Sequence, residues 1–69
     1  MVTISEQIQG VKREIDYRKR LYPKWVAEGK MTKLEADYQI ELMEYVANTL
    51  QAVLNFQRDF IAKNQNLFM

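Results

Sequence analysis

The side chains in this chain that can do chemistry are carboxylates, lysines, arginines, tyrosines and one tryptophan; histidine and cysteine are absent. Their absence removes Ser–His and Cys–His nucleophile pairs, thiolate and imidazole metal sites, and disulfides. No phosphate-cradling glycine loop occurs, because Gly10 and Gly29 stand far apart. Glu41 and Glu44 have the spacing of an acidic pair on one helix face. They lack the histidine that di-metal carboxylate helices place beside such glutamates. Paired carboxylates of the glycosidase kind need a cleft to hold substrate, and a short helical chain offers no deep one. The residues predict a protein that is not an enzyme and uses no cofactor or metal.

Two sets of residues point to binding instead. Lys12, Arg13, Lys19, Arg20 and Lys24 can form a basic stripe, with Tyr17 among them. Phosphate contacts from such a stripe give non-specific, salt-sensitive nucleic-acid binding. Glu14 and Asp16 interrupt it, and the net charge is only +1, so a solvated face is the expectation. The second set surrounds Tyr22-Pro23-Lys24-Trp25, which holds the only proline and the only tryptophan. Trp, Tyr and Arg dominate protein-binding hot spots, which makes Arg18, Arg20, Tyr22, Lys24 and Trp25 candidate partner contacts. The structural alternative is that Trp25 plugs the end of a small core.

Those residues must be positioned by helices. Thr3 followed by Glu6 has capping-box spacing. Ile4, Ile8, Val11, Ile15 and Tyr22 then recur at steps of four and three, with Arg18 filling the remaining seam position. Arg18 can lie along the seam with its head in water or meet a carboxylate of a facing helix. Glu14–Arg18 and Asp16–Arg20 have the spacing of i,i+4 ion pairs. Gly10 falls away from the seam and costs roughly 1 kcal/mol relative to alanine. Pro23 disfavours helix at Tyr22 and suits the start of a new turn, with Gly29 as a left-handed terminator. Helix one is therefore expected over residues 4–22 and a corner over 23–32.

Thr32 and Glu35 repeat the capping-box spacing, with Met31 placed as a staple against Ala36. No proline or glycine follows, so one long helix is expected over residues 33–65. Its seam reads Ala36, Gln39, Met43, Val46, Leu50, Val53, Gln57, Phe60, Asn64 and Leu67. A further row runs beside it through Ile40, Ala47, Leu54, Ile61 and Phe68. Such a broad stripe can touch more than one neighbour.

Helix one would be about 28 Å long and helix two about 48 Å. Folded back, the first covers the second only to about Leu50 or Val53. The apolar tail beyond predicts a homodimer, with Leu54, Gln57, Phe60, Ile61, Asn64 and Leu67 as contact candidates. Length agrees with this, because a chain of 69 residues buries only about 60% of its unfolded surface and needs a supplement. The expected fold is all-α: a helical hairpin in a single domain, dimerising into a four-helix bundle or coiled-coil-like assembly.

The residues Val11-Lys12-Arg13-Glu14-Ile15, Tyr22-Pro23-Lys24-Trp25-Val26, Gly29-Lys30-Met31-Thr32, Ala36-Asp37 and Glu41-Leu42-Met43 resemble a set of short helical proteins encoded by phages and prophages. Their shared core is Y-P-x-W-V-x-x-G-[KR]-M. The resemblance covers roughly residues 5–54 and is loose at Ile40-Glu41, whose order is reversed. It implies a phage or prophage origin and supplies no activity and no site residues. Met1–Glu6 carries no basic or apolar signal region, and no apolar run reaches the length of a membrane span. The expectation is a protein of the bacterial host's cytoplasm that acts through protein–protein interaction. It would bind and inhibit or redirect a host protein such as a defence or recombination nuclease. A nucleic-acid-binding accessory protein and a purely structural dimer module are the alternatives.

Overall fold

The computed structural model describes residues 1–64, with side chains to Asp59. Two helices form an antiparallel hairpin: α1, Ile4–Ala27, and α2, Lys33–Asn64. The first cap is the expected capping box. Glu6 N–H donates to Thr3 Oγ1 at 3.1 Å, and the Thr3 N–H donates to Glu6 Oε1 at 3.4 Å. At α2, Glu35 N–H donates to Thr32 Oγ1 at 3.0 Å, which satisfies one of the orphan donors of a helix start.

α1 does not stop at Tyr22. It runs through Pro23 to Ala27, so the corner is confined to residues 28–32 and the expected boundary is corrected by more than a turn. Pro23 removes one N–H that would bond the Lys19 carbonyl. The helix on either side keeps its own bonds and continues past the gap. It ends where a left-handed residue is available. Gly29 has φ 75°, Gly29 N–H donates to Val26 O at 3.1 Å, and Lys30 N–H donates to Trp25 O at 2.9 Å. These are the paired bonds of a Schellman termination. A Cβ at Gly29 meets no atom within 4 Å, so its cost is conformational alone. Gly29→Ala is expected to lose about 1–2 kcal/mol, read as a lowered urea midpoint. An unchanged midpoint would show that the turn relaxes freely.

The longer α1 also covers more of α2. Cross-helix contacts from Arg18 to Gln39 and from Lys19 to Glu44 set Ile4 level with about residue 56, beyond the expected limit at Leu50 or Val53. The face of α2 that meets α1 is rotated from the expected seam. Ala36 is buried, and Gln39, Ile40, Met43, Ala47, Leu50 and Leu54 are half-buried. Val46 and Val53, expected on the seam, are exposed. The row through Ile40, Ala47 and Leu54 thus lies at the contact, and Val46 and Val53 stand at its edge.

The hairpin is a single layer with a cross-section of 21 × 13 Å, close to one helix diameter in its thin direction. A single layer cannot enclose side chains. Among the described residues only Ile8, Ile15 and Ala36 are buried.

Candidate functional site

The expected contact residues separate into a connected group and two outliers. Glu14, Arg18, Tyr22 and Trp25 follow one another at i, i+4, i+8 and i+11, so α1 sets them along one stripe. Arg18 Nε donates to Glu14 Oε1 at 2.8 Å. Its Nη1 donates to the Gln39 carbonyl oxygen of α2, also at 2.8 Å. The guanidinium carbon lies 5.9 Å from the centroid of the Tyr22 ring. Tyr22 in turn stacks on Trp25, with centroids 5.6 Å apart and planes at 30°.

Arg18 therefore meets neither water alone nor a carboxylate of the facing helix, as the sequence suggested. It joins a carboxylate of its own helix to a backbone carbonyl of the other. The planar fork makes both bonds together, and its side chain is only 18% exposed. Tyr22 and Trp25 are half-buried, while Arg20 and Lys24 are exposed and stand outside this group. The expected Asp16–Arg20 ion pair is not among those formed by the described residues, whereas Glu14–Arg18 is.

On one side of Tyr22 the closed end of the hairpin forms an open groove of about 270 Å³. Tyr22, Pro23, Val26, Ala36 and Ile40 line it, with Lys33 and Asp37 at its rim. Lys33 Nζ and Asp37 Oδ2 pair at 2.9 Å. The groove follows from two local facts: α1 continues past Pro23, and Ala36 is small where α2 crosses it. Reading Pro23 as a helix break concealed this groove.

A second concavity lies on the outer face of α1 around the bare backbone of Gly10. Arg13, Glu14, Asp16, Tyr17 and Arg20 surround it. Two carboxylates share this surface with two guanidinium groups, so its charge is mixed. Lys12, Lys19 and Lys24 do not line it, and Lys19 instead faces Glu44 across the hairpin at 3.9 Å. The basic stripe is thus divided in space.

Of the dimer candidates, Leu54 is half-buried and Gln57 is exposed. Phe60, Ile61 and Asn64 lie on α2 with side chains outside the described residues, and Leu67 lies outside them altogether. Sequence reasoning also passed over Leu34, Tyr38, Leu42 and Tyr45, which the structure exposes on α2. Their signal was present in the spacing but was overshadowed by two other apolar rows.

Among the described residues, no cluster of acidic side chains is arranged to hold a metal ion, and no helix is long and apolar enough to cross a membrane. Compared with known proteins, the chain matches no family model, no curated protein and no solved structure.

Proposed function

We propose that this chain is a non-enzymatic interaction protein of phage or prophage origin that self-associates and binds a protein of its bacterial host. The observation that carries this reading is the scarcity of buried side chains. With only Ile8, Ile15 and Ala36 buried among the described residues, the hairpin leaves much apolar surface facing solvent, which marks interaction sites. The resemblance to short phage-encoded proteins supports a phage or prophage origin, for which a host protein in the cytoplasm, such as a defence or recombination nuclease, is the proposed target by analogy. The connected Arg18–Tyr22–Trp25 group supplies the contact chemistry: two stacked aromatics and a guanidinium held in place from both helices. Binding of nucleic acid by the outer face of α1 is less favoured, because Glu14 and Asp16 sit in the same concavity as Arg13 and Arg20.

The test is affinity capture from bacterial lysate, with and without nuclease, comparing the natural chain with Trp25→Ala and Arg20→Glu. A host protein is expected to survive nuclease treatment. Trp25→Ala is expected to weaken its capture tenfold or more, about 1.4 kcal/mol or above, with helix content unchanged. Recovery that depends on nucleic acid and fails in Arg20→Glu would reverse the assignment. Recovery of nothing beyond further copies of the chain would reduce the function to a structural module.

A further inference from the structure

α2 carries a second seam on its exposed side. Tyr38, Leu42, Tyr45, Thr49, Ala52 and Phe56 recur at steps of four, three, four, three and four, the repeat of a coiled-coil contact line. This line lies about 150° around the helix from the row that meets α1. Leu34 extends it by one turn. Leu34 is 81% exposed, Tyr38 60% and Tyr45 65%.

We propose that a second copy of this chain docks on this outer seam, α2 against α2 and antiparallel, about a two-fold axis near Tyr45. The inference rests on the self-association proposed above and names its surface. Leu34, Tyr38, Leu42 and Tyr45 together expose on the order of 500 Å², so their complete burial in two copies would remove about 1,000 Å², the lower bound for a specific interface. The hairpin's own core is small, and a second copy is the partner present whenever the chain is present.

The flanks of the seam select the direction. One flank carries Asp37, Glu41 and Glu44 in its first half and Asn48 and Asn55 in its second. The other flank carries Glu35 and Gln39 in its first half and the exposed Val46 and Val53 in its second. A parallel pair sets each flank against the opposite one, so Asp37 and Glu41 would lie level with Glu35 and Gln39 of the mate, like charge near like charge, and Glu44 level with Val46. An antiparallel two-fold pair sets each flank against its own copy. Carboxylates of one chain then face the partner's amides, which can donate to them, and Val46 lies level with its own copy. Residues flanking a seam set orientation in this way.

The absence of cysteine makes single-cysteine cross-linking clean. Full-length Tyr45→Cys, Leu34→Cys and Leu54→Cys chains would be oxidised and resolved without reductant, beside light scattering of the natural chain. The expected result is a mass twice the 8.3 kDa of one chain, with efficient disulfide formation by Tyr45→Cys alone. In the antiparallel pair the two Leu34 positions lie about 33 Å apart, too far to bridge. Cross-linking by both Tyr45→Cys and Leu34→Cys would establish the parallel pair and overturn the proposal. Cross-linking by Leu54→Cys without Tyr45→Cys would move the dimer to the α1-facing side of the helix. In both of those cases self-association stands and only the surface or direction fails. A natural chain of single mass would remove self-association and this inference together.

Discussion

Ile15→Ala is expected to unfold a large share of the hairpin at room temperature. Ile15 is one of the few buried side chains among the described residues, 8% exposed, and register sets it level with the Met43–Ala47 turn of α2. Truncating a buried isoleucine costs about 2–5 kcal/mol. The whole stability of a chain this size is on the order of 3–10 kcal/mol. A single layer has no neighbouring core to redistribute the loss. Val2→Ala, at a position 64% exposed, should move stability by no more than about 0.5 kcal/mol. Urea titrations followed by far-ultraviolet circular dichroism, at one fixed protein concentration, compare them. Fixed concentration matters because the stability of the proposed dimer would depend on it. Equal midpoints for the two variants would show that the interface between α1 and α2 does not hold the fold.

Pro23→Ala is expected to act in the opposite direction and stabilise the protein by about 2 kcal/mol. Inside a helix, proline is about 3 kcal/mol worse than alanine. It lacks the N–H for the Lys19 carbonyl, and its ring crowds that carbonyl. Its stiffness in the unfolded chain returns up to about 1 kcal/mol. Pro23 is itself exposed, so little packing is lost with it. A higher urea midpoint and unchanged helix content are the expected outcomes, while a lower midpoint would mean that the proline ring supports the groove. Pro23 also lines the groove beside Tyr22. The same variant should therefore be compared with the natural chain for host-protein capture.

Much of this fold was readable from local chemistry. Thr3 with Glu6 and Gly29 each act within a few residues and appear in the structure in the role expected, whereas Thr32 accepts from the Glu35 N–H without the return bond that would complete a second capping box. The difficulties arose where tertiary context decided. The rule that a helix halts before proline lost at Tyr22, because α1 supplies bonds on both sides of Pro23 and Gly29 offers a better stop. Arg18 was correctly placed on the seam, yet its bond to the Gln39 carbonyl was not foreseeable. A backbone acceptor leaves no mark in the sequence.

The rotation of α2 had a different cause. Its apolar residues form three interleaved rows, and periodicity alone does not say which row α1 selects. Spacing favoured Val46 and Val53, whereas the small side chains of Ala36 and Ala47 let α1 approach along another line. Once that line was taken, the Tyr38–Tyr45 row was left on the outside. The candidate site was legible in part for the same reason. Residue types singled out Tyr22, Trp25 and Arg18, but only the register of α1 on α2 separates them from Arg20 and Lys24.

The short Gly29-terminated turn also governs the order of events when the chain folds. Residues 28–32 join partners that are near in sequence, so closing the hairpin requires almost no search and belongs to the microsecond regime of local helix contacts. Meeting another molecule has no such advantage, because its rate rises with the number of chains in solution. Synthesis of the first copies would therefore yield transient, isolated hairpins. The proposed dimer would accumulate only as expression proceeds, which would tie that form to the protein's abundance.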